Sequence, residues 1–420
     1  MPEFFLRAVR RLAALALLWP LLQPSASAQA SPDGPPPRIG VVTMTPGEEY
    51  WARFGHNAIV VDDPARGLRI SYNFGYFDFD QPGFFINFLR GHMRYRLVAM
   101  TLEDDLRSYA EEGRGATLQW LDLEPGQASA VRDHLAWNAL PENAEYRYDY
   151  FSDNCSTRVR DVLDRALEGE LSRQLSGRSH GLTYRMESLR LGAGVPWMAL
   201  GMHAALGPSA DRPLSIRDEA FVPQRLADAL AEARSTTGQS LVRDTVMLLP
   251  DRLGLERAAP PALRTAFAGT GIALALALAM LLRPRAGRIP RRIGAALAGT
   301  VWLACGVAGL VLLGLWGFTD HRAAFGNENW LLLNPLCLLL LAALPALARG
   351  RRTFAFLRHT ARLVLACSAL ALFLRFLPFR VQDNGDFIAL LAPVHAVLAW
   401  RLSQWIAHPP TNEGLPDPKD

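Results

Sequence analysis

Apolar and polar positions alternate through the first half of the chain, whereas long unbroken apolar runs fill the second. In the first half, residues 38–44 and 57–61 are rich in β-branched residues and predict strands, and 68–74 and 95–100 continue the pattern. Thr101 opens a helix, with Asp104 at capping-box spacing ahead of Leu106 and Tyr109. A strand at 117–123, a helix at 127–138 and a strand of alternating aromatic and polar residues at 146–151 (YRYDYF) follow. After Ser152-Asp153-Asn154-Cys155-Ser156-Thr157, the residues Val159, Val162, Leu163, Ala166 and Leu167 fall at helical spacing, so Cys155 begins a helix. The expected class of residues 38–260 is α+β.

The second half predicts an all-α transmembrane bundle of about five helices. Uncharged runs at 265–282, 293–318 and 330–348 are near or above the roughly 18 to 20 residues that cross hydrocarbon. Weaker spans are expected at 363–379, with Arg375 near one end, and at 387–407, with Arg401 in its last turns. Both arginines lie close enough to the ends to snorkel.

Arginines between the spans set the orientation. Residues 283–292 carry Arg283, Arg285, Arg288, Arg291 and Arg292, and 349–362 carry Arg349, Arg351, Arg352, Arg358 and Arg362, whereas 319–329 has only Arg322. Excess arginine marks the cytoplasmic side, which leaves the first domain and the loops 319–329 and 380–386 outside. The N-terminus agrees: Arg7, Arg10 and Arg11 precede the apolar run 12–22, and Ala26-Ser27-Ala28 is a small-x-small cleavage site. The expected organisation is a signal peptide over 1–28, an exported domain over 29–260 and a transmembrane domain over 261–420. The net charge of +4 thus reflects topology, and no nucleic-acid partner is expected.

Cysteine usage singles out one position. Cys155 is the only cysteine of the expected exported domain, because Cys305, Cys337 and Cys367 fall within predicted spans. The alternatives are a buried inert thiol and a nucleophile. At a helix start, capped by Asp153 or Asn154, the first-turn N–H groups and the positive end of the dipole favour a thiolate and can receive an oxyanion. Among the candidate bases His56, His92, His134, His180 and His203, His56 is best placed, at the start of the strand Ala58-Ile59-Val60-Val61. His134 lies on an amphipathic helix and His92 in a basic segment. Asn73, on the next strand, is the first choice to orient the imidazole, with Asp149 in reserve. No metal cluster, glycine-rich phosphate loop or internal repeat stands out, so no cofactor is expected.

The motifs Pro46-Gly47-Glu48, Phe54-Gly55-His56, Tyr72-Asn73-Phe74-Gly75 with Phe77-Asp78-Phe79, and Asn154-Cys155-Ser156-Thr157, in that order and ahead of a multi-span region, resemble the Lnb-type lipoprotein N-acyltransferases of bacteria. The resemblance implies a circularly permuted papain-like exported domain, as in the lecithin:retinol acyltransferase group, with Cys155 as nucleophile and His56 as base. It also implies an inner-membrane enzyme that moves an acyl chain from a phospholipid, through a Cys155 thioester, to the α-amine of a diacylglyceryl lipoprotein. Asn73 rests on strand order alone.

The residues themselves reach only a thiol acyl-transfer enzyme at a membrane surface. A cell-envelope thiol peptidase or amidase, and a non-catalytic sensor or transport subunit, remain as alternatives. Two further features have double readings. The outer loops, with Asp320, His321, Asn327, Glu328 and Asn329 in one and Gln382, Asp383, Asn384 and Asp386 in the other, are either headgroup or amine contacts or solvated turns. The segment 84–89 (FFINFL), followed by Arg90, Arg94 and Arg96, is either a core helix or an element that dips into an anionic leaflet.

Overall fold

The computed structural model describes residues 35–407. The expected signal peptide lies outside that range.

Seven strands form one antiparallel sheet: β1 (Arg38–Met44), β2 (His56–Asp63), β3 (Leu68–Tyr76), β4 (Arg94–Thr101), β5 (Ala116–Leu121), β6 (Glu145–Arg147) and β7 (Val242–Leu249), in the spatial order β6-β4-β3-β2-β1-β5-β7. The central strands β1 and β2 are buried on both faces, which is why they read as near-continuous apolar runs. On one face Ile39, Val41, Ile59, Val61 and Phe74 pack under helices α3 (Pro125–Asn138) and α4 (Cys155–Ala166). On the other, Val42, Met44, Ala58 and Val60 meet Leu102, Leu106 and Tyr109 of α2 (Leu102–Glu112). Helix α1 (Phe84–Arg90) stands between β3 and β4.

The strand expected at 146–151 is confined to β6. Past it, Asp149 Oδ1 accepts the backbone N–H groups of Phe151 and Ser152, at 3.0 and 2.8 Å, and turns the chain toward α4. Between α4 and β7 lie helices that the sequence pattern left unassigned, among them α5 (Pro196–Ala205) and α6 (Pro223–Glu232), which seals the sheet beside β1.

Among the described residues, the C-terminal region has four helices long and apolar enough to cross a membrane: α7 (Arg264–Leu281), α8 (Arg288–Phe318), α9 (Ala355–Leu374) and α10 (Gly385–Ala407). The run at 330–348 is not one continuous helix. A 3₁₀ turn (Glu328–Leu331) and an irregular stretch through Asn334 and Pro335 precede the apolar helical segment Cys337–Arg349, which is itself interrupted by a 3₁₀ turn at Leu341–Ala343. Thirteen helical residues rise only about 20 Å, short of the roughly 30 Å hydrocarbon core. The non-helical part is buried in protein, with Asn329, Leu332 and Asn334 nearly inaccessible, as irregular backbone at membrane depth requires. Glycines in α8 allow the approach: a β-carbon on Gly309 would stand 2.1 Å from the Leu333 carbonyl oxygen.

Loops 319–329 and 380–386 both touch the sheet-bearing domain, so they lie on its side of the bundle. His92 Nε2 and Arg147 Nη2 reach Asp320 at 2.9 and 2.7 Å, His203 Nε2 reaches Asp386 at 3.1 Å, and the Ala204 carbonyl accepts from Asn327 and Asn329.

Candidate active site

Cys155 is the first residue of α4. Asn154 caps it: its side-chain oxygen accepts the Thr157 N–H at 2.9 Å, and the Thr157 hydroxyl accepts the Asn154 N–H at 2.7 Å in return. The Asn154 amide nitrogen donates to the carbonyls of Tyr150 and Phe221, both at 2.9 Å, so the helix start is held from three directions. Ser156 Oγ donates to Asn57 Oδ1 at 2.7 Å, which pins this end of α4 to the start of β2.

His56 is the first residue of β2 and neighbours Cys155. Burial disfavours the imidazolium, but the Cys155 sulfur, its hydrogen bond to the ring, the Asp105 charge and the Asn73 contact outweigh it, so the His56 pKa lies above its ordinary value. The Cys155 thiol moves the opposite way. Burial disfavours the thiolate, yet the His56 charge and hydrogen bond, with the Asn57 backbone N–H and Ser156 hydroxyl, hold its pKa below the usual thiol range. Both shifts favour the thiolate–imidazolium form relative to the isolated groups.

Behind the imidazole is a chain of side chains on β3 and α2. Asn73 Oδ1 lies 2.9 Å from His56 Nε2, and Asn73 Nδ2 donates to Asp105 Oδ2 at 3.0 Å. Ser71 Oγ donates to the same carboxylate oxygen at 2.5 Å. Asp105 itself is buried. In the sequence, Asp105 looks like one of three acids in the first turn of a helix, an ordinary dipole-stabilising pattern. Its placement below β3 depends on strand pairing that no local signal carries.

Tyr146 is a second residue that sequence reasoning missed. Its buried hydroxyl has no hydrogen-bond partner among the described residues. A β-carbon on Gly75 would stand 3.7 Å from Cys155 Cβ and 3.8 Å from Tyr146 Oη, so the hydroxyl and the cysteine border the same gap. Gly75 has φ +94° at a register shift in the β3–β4 pairing, a conformation that favours glycine, and its missing side chain leaves that gap open. Burial, followed by the Cys155 charge, raises the Tyr146 pKa well above its ordinary value and keeps the phenol a donor.

The other candidates are engaged elsewhere. His92 pairs with Asp320, His180 Nδ1 with Glu219 at 2.6 Å, and buried His203 with Asp386, while His134 of α3 sits beside Arg165 of α4. Asp149 is committed to its turn and does not approach His56 through any hydrogen bond among the described residues. No cluster of metal-ligating side chains occurs among the described residues.

No curated protein and no solved structure matches the chain. Two family profiles do. The Lnb N-terminal periplasmic domain matches residues 31–188, which takes in Cys155, His56, Asn73, Asp105 and Tyr146, and the Lnb transmembrane domain matches residues 266–403, from α7 into α10. A multi-pass membrane protein with a periplasmic α+β domain is the architecture both profiles and the fold describe, and the chain belongs to the Lnb family.

Proposed function

We propose that this protein is an inner-membrane lipoprotein N-acyltransferase that carries an acyl chain as a Cys155 thioester from a phospholipid to the α-amine of a diacylglyceryl lipoprotein. The observation that supports it most is the succession of contacts Cys155, His56, Asn73, Asp105, in which a thiol at a helix start meets an imidazole whose far nitrogen is already occupied.

In the first half-reaction His56 Nδ1 takes the thiol proton, and the sulfur attacks the ester carbonyl of the phospholipid. The tetrahedral oxyanion receives the Tyr146 hydroxyl and N–H groups of the α4 first turn. Its collapse breaks the carbon–oxygen bond, and the departing alkoxide takes the proton from imidazolium to leave as the lysophospholipid alcohol. In the second half the lipoprotein amine attacks the thioester, His56 accepts the amine proton, and the sulfur leaves and regains a proton. The amide is the product and the enzyme returns to its starting state.

Intact-mass analysis of the purified protein in phospholipid tests this. One added acyl chain that hydroxylamine removes, and that a diacylated lipopeptide discharges as triacylated product, is expected. Discharge to free fatty acid alone would make the protein a hydrolase. Full lipopeptide acylation by the Cys155→Ala protein would overturn the thioester route.

A further inference from the structure

Helix α1 presents Phe85, Ile86, Phe88 and Leu89 to the outside, with Phe85 66% and Leu89 63% exposed, while Phe84 is buried. Four large apolar side chains on seven residues exceed what a water-soluble surface ordinarily leaves uncovered.

The helix is tied to the membrane domain at a particular height. Span α8 carries an exposed apolar face that runs from Leu303 and Val307 through Leu310 and Val311 to Phe318, its last residue. Two residues on, the Asp320 N–H donates to the Arg90 carbonyl at 2.8 Å, and His321 Nε2 donates to the Phe88 carbonyl at 3.0 Å. Gly91, at φ +75°, lets the chains approach: a β-carbon there would stand 3.0 Å from the Asp320 carbonyl carbon. The C-terminal end of α1 is thus joined to the point where a lipid-facing helix leaves the bilayer.

A second apolar element is tethered likewise. Helix α5 exposes Trp197 and Leu200, and its far end is bound to the loops after α8 and before α10 through Ala204 and His203. Between the two elements the rings of Phe84, Phe79, Trp51, Tyr50 and Trp197 form an unbroken series, with centroid separations of 4.7 to 5.8 Å. A branch from Phe84 through Phe77 and Tyr95 leads to Tyr148, whose surroundings include the Cys155 charge. Tryptophan and tyrosine beside leucine and phenylalanine, with Arg90 at the rim, are the composition of the headgroup–acyl boundary.

We propose that α1 and the exposed rings of Trp51, Phe79 and Trp197 are immersed in the periplasmic leaflet, and that this patch takes phospholipid acyl chains at the mouth of the Cys155 site. Continuity with the lipid-facing side of α8 selects lipid over a protein partner as occupant. Immersion does not depend on the proposed chemistry, whereas the uptake of acyl chains at the Cys155 site rests on it.

The test uses the full chain in phospholipid nanodiscs doped with a phospholipid that carries a diazirine in its acyl chain. After illumination, lipid adducts are mapped by peptide mass spectrometry in the parent and in Cys155→Ala. Adducts on the peptide spanning 70–90 are expected at yields comparable to those on α8, which serves as internal control, and equally in both proteins. The Phe85→Ser/Leu89→Ser double variant is expected to lose most of the 70–90 adduct while that on α8 persists. Adducts on α8 with none on 70–90 would overturn the proposal, whether the peptide then reacts with a water-soluble label or is shielded from it by another protein.

Discussion

Asp105 sets the hydrogen-bonding direction of Asn73: a carboxylate can only accept, so the Asn73 amide nitrogen must face it at 3.0 Å and the amide oxygen must face His56. His56 Nε2 then carries the proton that Asn73 accepts, which leaves Nδ1 as the basic nitrogen available to Cys155. Asp105 is a positioning residue, acting through a neutral amide.

Asp105→Ala is therefore expected to lower the acyl-loading rate and also to shift its pH profile. Removal of the negative charge lowers the His56 pKa, so the alkaline limb of the profile moves to lower pH. It also leaves the buried Ser71 hydroxyl without its acceptor, at about 1–3 kcal/mol of stability, while Asn73 Nδ2 keeps its contact with Ser71 Oγ at 3.2 Å. Loading rate against pH, with a denaturant titration alongside, separates the two effects. An unshifted profile would reduce Asp105 to a structural role.

His56→Gln is expected to raise the Cys155 pKa, because the depressing charge is gone while burial persists. Iodoacetamide alkylation should then follow a titration at higher pH than in the parent, whose thiolate survives into more acidic solution. The same titration in both proteins would mean that His56 does not govern the thiol.

Tyr146→Phe deletes a hydroxyl that bonds to no other described residue, so thermal stability should be nearly unchanged. Loss of one oxyanion donor should lower the loading rate by roughly 100-fold. Loading at the parent rate by the Tyr146→Phe protein would remove Tyr146 from the mechanism.

Gly271→Leu tests the bundle. A β-carbon at Gly271 would stand 2.5 Å from the carbonyl oxygens of Ala389 and Leu390, so α7 must separate from α10 to admit a side chain. A lower unfolding temperature in detergent is expected, with Gly269→Leu, which faces open space, as the control.

Much of this was legible in the sequence where local chemistry determines the outcome. Strand β1 occupies the expected 38–44, and the cap at Asn154 places Cys155 at a helix start, because both follow from short-range pattern. Asn73 reaches His56 because Ala58 pairs with it across β2 and β3, a register that strand order suggests without fixing. Asp105, Tyr146 and the edge strand β7 were not legible. Their roles arise from burial and pairing between distant segments, and β7 is largely exposed, so it lacks a strong apolar signature. The run 330–348 is apolar as expected, but hydropathy records apolarity and not continuity of the helix, which Asn334 and Pro335 interrupt.

The fastening of His203 to Asp386 and of Ala204 to Asn327 and Asn329 has a bearing on which bond of a donor lipid can react. Several fastenings of the domain to the bundle would hold the Cys155 sulfur near one elevation above the bilayer midplane, like a cutter set to one depth. On the acyl-transfer reading, that elevation would select glycerol ester carbonyls, which diacyl glycerophospholipids carry at nearly the same level, and would be indifferent to how far the tails extend below.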